Sequence, residues 1–292
     1  MEDNQSALKL GLNYCSNSEY HGDRTALSST VVKTVYKDLA QYHREYILGV
    51  KPEKPYNASM GMGTLMHSLI LEPELVSSEY NFVQAWDRRA KEYKNIVAAL
   101  PASDKRSIVT QTEKAKADRM MAACKAHPTY MSYFTGGQAE VTLVAVYNID
   151  TGAVTFDEAD EGPNTVRIKV RLDYLQAELG RVNDVKTTGF ASDLTTFKGT
   201  CEHWMYQLSG ALYLMVAEAW FKRTFQFYFG VVSTTEFTCE VFRLSDKKRL
   251  EGVNQIRKAM LKLKQARETG VWAETNSPAA RAEVQNYEVL EV

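Results

Sequence analysis

The sequence is poor in cysteine and has no long apolar run. It has 292 residues, and its widely spaced cysteines, none of them in a CxxC pair, are Cys15, Cys124, Cys201 and Cys239. This spacing argues against a zinc ribbon, an iron–sulfur site or a disulfide framework, and it suits a reducing cytoplasm. No stretch approaches the ~20 apolar residues that a membrane span requires, so we expect no membrane partner.

The sequence also lacks a leader pattern and an excess of charge. Its start, MEDNQSALKLGLNY, has no basic region followed by an apolar stretch, so we do not expect secretion. The formal net charge is −1, so a polyanionic partner would have to meet local positive patches rather than the whole surface. With 45% hydrophobic and 24% charged residues, the composition is that of an ordinary globular protein.

Helical patterns dominate the first third to half of the chain. One helix is predicted to begin near Ser28 or Ser29, because either serine is a good N-cap and apolar residues then recur at helical spacing. The stretch MGMGTLMHSLILEPEL predicts a short apolar helix that ends before Pro73. Two further helices are predicted over residues 88–100 and 111–127.

The pattern changes to strands after Gly136. Alternating residues predict a hairpin with its turn at 150–152 and a second hairpin with its turn at Gly180. A helix over about 203–220, two strands and a long charged helix over 246–268 follow. Because no internal repeat or low-complexity linker interrupts the chain, we favour a single α/β domain with added helices.

An aspartate and a lysine lie two residues apart in the stretch GRVNDVKTTGF. Asp184 and Lys186 share one face of the predicted strand, with Cα atoms roughly 6.5–7 Å apart. Asp173 ends the preceding strand of the same hairpin and is expected beside Asp184. Two carboxylates next to an ammonium suit Mg²⁺, which prefers oxygen ligands, and the lysine can orient a water for phosphodiester hydrolysis. The alternative is a solvated ion pair that contributes about 0.2–1 kcal/mol.

A histidine lies on the apolar helix, in the stretch GTLMHSLIL. In such surroundings His67 is more often a hydrogen-bonded core residue, but a neutral imidazole there can also reach a metal ion. Both roles stay open on the residues alone.

Six segments occur in an order that resembles a known nuclease family. They are LSSTVVKTV, MGTLMHSLILEPEL, GQAEVTLVAVYNIDTG, IKVRLDYL, NDVKTTGFAS and YQLSGALYLMV. The order resembles the nuclease region of the exonuclease VIII (RecE) family and related phage exonucleases. Those proteins belong to the PD-(D/E)xK superfamily, with phage lambda exonuclease and the RecB nuclease domain. The resemblance covers roughly residues 27–272. It implies a restriction-endonuclease-like α/β core, with a mixed central sheet flanked by helices and a helical N-terminal part. A loose segment is then expected at 1–26, and a tail at 273–292.

The resemblance also implies an activity and its residues. The expected activity is Mg²⁺-dependent 5′-to-3′ digestion of one strand of linear double-stranded DNA, with Mn²⁺ able to replace Mg²⁺. Asp173 matches the metal-binding aspartate of the family, Asp184 the acidic residue of its D/E-x-K element, and Lys186 its catalytic lysine. His67 matches a histidine that approaches the metal, and Glu140 a glutamate expected near the site. By its residue type alone, Glu140 is equally well a solvated charge at a strand start.

Two positions depart from the family pattern. The proline usual before the first aspartate is Leu172, which changes local stiffness but removes no ligand. In the helical Gln-x-x-x-Tyr element, Tyr213 fits the tyrosine, but Ser209 stands where the glutamine is expected. Gln207 lies two residues earlier, about 200° away around the helix. We place Gln207 and Tyr213 near the DNA or the active site, with core packing as the alternative for Tyr213.

Two groups of residues are candidates for contact with DNA phosphates. The first is a capped helix start with one lysine, because helix N-termini bind phosphate readily; it comprises Ser28, Ser29 and Lys33. The second shares the polar face of its strand with Asp173 and comprises Arg167, Lys169 and Arg171. A simple helix cap and a solvated sheet face are the respective alternatives.

The resemblance further implies partners and rival functions. It leads us to expect a ring-shaped homo-oligomer around DNA ends, a single-strand annealing partner protein, a role in phage-type homologous recombination, and the cytoplasm of a bacterial host cell. An endonuclease of the same superfamily is the alternative enzyme, and an adaptation-type nuclease would carry a cysteine cluster that this sequence lacks. Outside enzymes, the alternative is a non-catalytic DNA-binding subunit with a nuclease fold.

Overall fold

A seven-stranded mixed sheet lies at the centre of the protein. The computed structural model describes residues 7–50, 57–101 and 103–272. In chain order, its strands are β1 (Gly11–Asn13), β2 (Tyr80–Phe82), β3 (Ser107–Val109), β4 (Gln138–Asn148), β5 (Val154–Thr155), β6 (Thr165–Gln176), β7 (Arg181–Thr188), β8 (Gln226–Ser233) and β9 (Cys239–Arg243). The order across the central sheet is β1-β4-β6-β7-β8-β9, with β5 paired to β4, while β2 and β3 pair with each other.

Helices pack on both faces of this sheet. In chain order they are α1 (Asn17–Gly22), α2 (Ser29–Lys37), α3 (Leu39–Tyr42), α4 (Ala58–Leu71), α5 (Val76–Glu79), α6 (Lys91–Ala99), α7 (Gln111–Ala126), α8 (Leu194–His203), α9 (Tyr206–Phe221) and α10 (Asp246–Thr269). The mixed sheet flanked by helices confirms the predicted fold class. Ser28 is the N-cap of α2 and α4 ends before Pro73, as predicted.

One predicted helix begins later in the structure. The helix predicted over about 203–220 is α9, which begins at Tyr206, and the first predicted residue, His203, is instead the last residue of α8. Between them, Met205 has a φ of 51°, in the left-handed region that interrupts a helix. The apolar run continues through this break, so hydrophobic spacing alone did not reveal it.

The sheet is mixed because β7 and β8 run parallel, whereas the other paired strands of the central sheet are antiparallel. Helices α8 and α9 form the crossover that parallel strands require. Strands β6 and β7 are in register over only three residue pairs, the last of which is Tyr174 opposite Asn183. Beyond that pair the strands separate, so Asp173 and Asp184 stand where the sheet opens.

The two faces of the sheet are buried against different helices. On one face, α2, α9 and α10 pack on the inward residues of β4, β6 and β8. The predicted alternation along β6 is confirmed there, since Ile168, Val170 and Leu172 are all fully buried in this cluster. On the other face, α4 and α7 pack on Tyr174 and Val185. Helix α4, which carries His67, is thereby held against β7.

The predicted loose segment at 1–26 is corrected over its described part. Strand β1 pairs with β4, and α1 begins with a capping box formed by Ser16 and Glu19. These elements are too short to show a periodic pattern in the sequence. Residues 1–6 and the predicted tail at 273–292 lie outside the described residues. None of the helices that the structure describes is long and apolar enough to cross a membrane.

Candidate active site

Three potential metal ligands meet where β6 and β7 separate. They are His67, Glu140 and Asp173. Each offers one atom that could bind a metal ion, and these three atoms all lie within 4.8 Å of one another. His67 comes from α4, Glu140 from β4 and Asp173 from β6. Glu140 stands opposite Asp173, because the pairs on either side of them keep one continuous register. The cluster therefore joins three elements that are far apart in the sequence.

His67 is oriented by a backbone carbonyl. Its Nε2 lies 2.8 Å from the carbonyl oxygen of Val185, which can only accept, so Nε2 must donate the hydrogen bond. In a neutral imidazole this leaves Nδ1 with a lone pair, and Nδ1 lies 3.6 Å from Oδ2 of Asp173. A carbonyl that fixes the tautomer in this way is the usual support of a metal-binding histidine.

Asp173 is held at the opening of the sheet by the backbone of β7. Its Oδ2 accepts a hydrogen bond from the Val185 N–H at 2.9 Å. Burial and the nearby negative charge of Asp184 raise the pKa of Asp173 to about 7, against the opposing influence of His67 and Lys186. Because the charged form of Asp173 is unfavourable here, a cation bound next to it would stabilise that form.

Glu140 adopts a strained backbone conformation. Its φ is 54°, which is unfavourable for a residue with a side chain. The Glu140 carboxylate forms an ion pair with Arg171, and Nη1 of Arg171 also donates to the carbonyl oxygen of Cys15 at 3.1 Å. Arg171 thus ties the N-terminal segment to the cluster. A cavity of ≈ 660 Å³ borders Glu140 and Arg171, and the side chains of His67 and Asp173 are 30% and 13% exposed, so solvent reaches all three clustered residues.

Asp184 and Lys186 form an ion pair next to the cluster, on β7. Asp184 is buried, and it is not one of the three clustered donors. Burial alone would lower the pKa of Lys186, but the charges of Asp184 and Asp173 outweigh it and raise that pKa above its ordinary value. In the metal-free protein these charges therefore favour the ammonium form of Lys186. The assignment of Asp184 as a metal ligand stays a prediction.

Lys33 lies on the same side of the site as Lys186. The ammonium of Lys33 is 5.5 Å from the ring centre of Tyr206, and that of Lys186 is 5.3 Å from the same centre. Burial and the charge of Lys186 lower the pKa of Lys33 to about 8. Tyr206 was missed in the sequence, because an aromatic residue within an apolar helical run usually indicates core packing.

The two serines at the start of α2 serve the fold. Ser28 caps the helix by accepting from the Val31 N–H at 3.5 Å, and Ser29 is buried. The backbone of the preceding Leu27 forms hydrogen bonds with Arg167 and Lys169 of β6, along the part of the strand edge with which β7 does not pair. Further along α2, Lys33 lies against the same ring as Lys186, and a phosphate contact at the start of this helix stays a prediction.

The basic residues predicted along β6 are engaged by the protein itself. Arg167 donates to the Glu161 carboxylate at 2.8 Å. Lys169 is buried, and its ammonium bonds to the carbonyl oxygens of Tyr20 and Asp23. Because α1 covers this face of the strand, the predicted phosphate contact of Lys169 does not fit its position. The ion pair with Glu140 likewise gives Arg171 a role within the site rather than on the surface.

The two residues of the altered helical element point to different places. Gln207 is buried and faces α10, where its amide nitrogen lies 3.3 Å from Oε1 of Gln255. These contacts give Gln207 a packing role, and its assignment to the neighbourhood of the DNA or the active site stays a prediction. Burial raises the pKa of Tyr213, and the charges of Asp184 and Asp173 act in the same direction. Tyr213 is thus within electrostatic reach of the site.

The clustered residues fit a divalent cation. Two carboxylates and one imidazole are a suitable ligand set, they are all partly buried, and the imidazole already presents its free nitrogen to them. His67, Glu140 and Asp173 would hold the ion, with Asp184 beside them. Such a cation would supply charge stabilisation to a phosphate and acidity to a bound water.

Comparison with known families identifies the class of protein. The family described as a PDDEXK-like domain of unknown function (DUF3799) matches residues 33–281, which is most of the chain. The chain therefore belongs to this family. A solved structure described as a candidate exonuclease from Eubacterium rectale is similar in fold. It is 14% identical, with a TM-score of 0.60 over 96% of this chain and 96% of that chain.

Two further comparisons add little. The solved structure of SSO0001 is 12% identical over 80% of this chain and 84% of that chain, but its TM-score of 0.29 is too low to support a common fold. None of the curated protein sequences compared with the chain matches it significantly. The family and the fold together support a nuclease, without assigning the chain to the RecE group in particular.

Proposed function

We propose that the protein is a metal-dependent exodeoxyribonuclease that digests one strand of linear double-stranded DNA in the 5′-to-3′ direction. The observation that carries the proposal is the convergence of His67, Glu140 and Asp173 beside the ion pair of Asp184 and Lys186. A hard divalent cation, Mg²⁺ or Mn²⁺, suits this set of ligands. The polarity and the choice of duplex DNA rest on the resemblance of the sequence to phage exonucleases.

The residues of the chain divide the work of hydrolysis. The bound cation would polarise the scissile phosphate and lower the pKa of a water molecule. Through its ammonium group, Lys186 would orient the water and offset the charge growing on the phosphate. Asp184 holds the Lys186 ammonium in place. Lys33 is positioned to meet a neighbouring phosphate, because it shares the Tyr206 ring with Lys186.

The biological setting is part of the same proposal. We propose that the enzyme prepares DNA ends for phage-type homologous recombination, acting with a single-strand annealing protein. A ring of several copies would keep the enzyme on its DNA during digestion. Light scattering at working concentrations tests the ring, and a protein that stays monomeric contradicts it.

A closed circular duplex separates the proposed exonuclease from the alternative endonuclease. With Mg²⁺, the purified protein should release nucleotides from linear duplex DNA and leave a covalently closed circle of the same sequence intact. The circle is the matched control, since it differs only in having no ends. Nicking or linearising the circle at a similar rate would instead assign an endonuclease. If neither DNA is hydrolysed while duplex DNA is still bound, the chain is a non-catalytic subunit.

Strand labelling tests the direction of digestion. Two linear duplexes with a 5′-phosphate are compared, one labelled at the 5′ end and the other at the 3′ end of the same strand. The 5′ label should be released before the 3′ label. The reverse order would overturn the 5′-to-3′ assignment while leaving the nuclease itself in place.

A further inference from the structure

Tyr206 is the one aromatic ring that the structure places under both lysines of the candidate site, within the described residues. Lys33 comes from α2 and Lys186 from β7, and their ammonium groups lie 5.5 Å and 5.3 Å from the ring centre. An ammonium within about 6 Å of the centre of an aromatic ring is attracted by the negative charge of its face. The ring therefore draws together two like charges that would otherwise repel each other.

The position of the Tyr206 ring is itself firmly determined. Tyr206 is the first residue of α9 and follows Met205, whose left-handed backbone sets the direction of the helix. The ring packs beside Phe197, with centres 6.2 Å apart, and beside Phe229, with centres 6.0 Å apart. The crossover between β7 and β8 thus places a rigid apolar support next to Lys186.

The two lysines differ in what else they contact. Lys186 is paired with the Asp184 carboxylate, whereas no carboxylate among the described residues lies within ion-pairing distance of Lys33. The Lys33 ammonium contacts the Tyr206 ring, and the charge of Asp184 acts on it at longer range. A half-buried ammonium without a carboxylate partner is well suited to an anionic ligand.

We propose that Tyr206 is a positioning residue that holds Lys33 and Lys186 side by side, so that the two ammonium groups engage neighbouring phosphates of one DNA strand. This inference rests on the proposed nuclease function. Lys186 serves the phosphate that is cleaved, and Lys33 serves binding. The role belongs to the face of the ring, so the phenol hydroxyl is not required for it.

The experiment compares ring-preserving and ring-removing variants. Tyr206→Leu should weaken binding of a 5′-phosphorylated duplex, measured by fluorescence anisotropy without divalent metal, by about two- to thirtyfold, the range expected for one cation–π contact. Tyr206→Phe keeps the ring and should recover most of that loss. Tyr133→Leu is the matched control, because Tyr133 supports Arg181 at the other end of β7 and should not change DNA binding.

A double variant shows whether Tyr206 acts through Lys33. In a Lys33→Met background, Tyr206→Leu should weaken binding no further, while it should still lower the single-turnover hydrolysis rate through Lys186. Equal weakening with and without the Lys33 amine overturns the proposal, as does a folded Tyr206→Leu that binds and cleaves like wild type. Should Tyr206→Leu fail to fold, Lys33→Met alone decides: unchanged binding refutes the role of Lys33.

The outcomes also separate this inference from the function on which it rests. If the wild type binds duplex DNA but hydrolyses none, the proposed nuclease fails, whereas the metal-free binding comparison still tests Tyr206. If hydrolysis occurs but the leucine and phenylalanine variants behave alike, the nuclease stands and the positioning role fails.

Discussion

Replacing Asp173 by asparagine is expected to stabilise the metal-free protein at neutral and alkaline pH, although it removes a candidate metal ligand. Asparagine keeps an oxygen that can accept the hydrogen bond from the Val185 N–H, which Asp173 accepts at 2.9 Å. It removes the negative charge that stands buried beside Asp184. The substitution therefore removes the unfavourable charge of Asp173 and keeps its hydrogen bond to the backbone.

The size of this effect follows from the pKa of Asp173. Burial and Asp184 raise that pKa from its ordinary value of 3.8 to about 7. Between these two values the folded state keeps a proton that the unfolded state releases, so the free energy of unfolding falls by about 1.4 kcal/mol per pH unit. The loss of stability caused by the Asp173 charge is absent below about pH 4, and it reaches up to about 4 kcal/mol above pH 7.

Urea unfolding in the presence of EDTA measures the prediction at two pH values. Asp173→Asn should raise the free energy of unfolding by up to about 4 kcal/mol at pH 8 but by only about 2 kcal/mol at pH 5. Asp118→Asn, at an exposed position on α7, is the control and should change stability by less than about 0.5 kcal/mol. A variant that is less stable than wild type at pH 8, or equally shifted at both pH values, would refute the reasoning.

Three further predictions follow from the same structure. Because Asp173 must lose its proton to bind a cation, calorimetric titration should show Mg²⁺ binding about tenfold more weakly at pH 6 than at pH 8; equal affinity would contradict the raised pKa. Arg171→Met should lower the Mg²⁺ concentration needed for half-maximal hydrolysis, because it removes the positive charge that competes with the cation for the Glu140 carboxylate; an unchanged requirement would place Glu140 outside the metal site. Gly252→Ala should lower the free energy of unfolding by about 1–3 kcal/mol, because its Cβ would lie 2.2 Å from a backbone carbonyl of α9. Gly199→Ala, on the open surface of α8, should instead stabilise by about 0.5–1 kcal/mol, and similar effects of the two changes would contradict the close packing of α9 on α10.

The parts of the fold that were predictable have strong local signals. The cap at Ser28, the proline after α4 and the alternation along β6 each follow from one stretch of sequence, and the structure confirms them. The approach of Asp173 to Asp184 was also expected, since both belong to one hairpin. The sequence did not predict that both residues lie beyond the last paired residues of β6 and β7. A hairpin pattern does not show where its two strands separate.

The parts that were not predictable depend on tertiary contacts. Lys169 alternates with apolar neighbours as an exposed strand residue would, but α1 covers it, and Tyr20 of α1 and the following Asp23 supply carbonyl oxygens for its ammonium. Tyr206 looks like core in the sequence and becomes a support for two lysines only through the crossover of α8 and α9. Such roles arise when distant segments meet, and no local pattern records them.

The most direct measurement of the central claim is the rate at which nucleotides are released from linear duplex DNA with Mg²⁺. Wild-type protein should degrade the duplex, Asp184→Ala and Lys186→Ala should be slower by about a hundredfold or more, and Lys125→Ala, an exposed lysine on α7, should match wild type. Binding of DNA by Lys186→Ala should fall far less than its rate. If both site variants digest as fast as wild type, the assignment of this site is wrong.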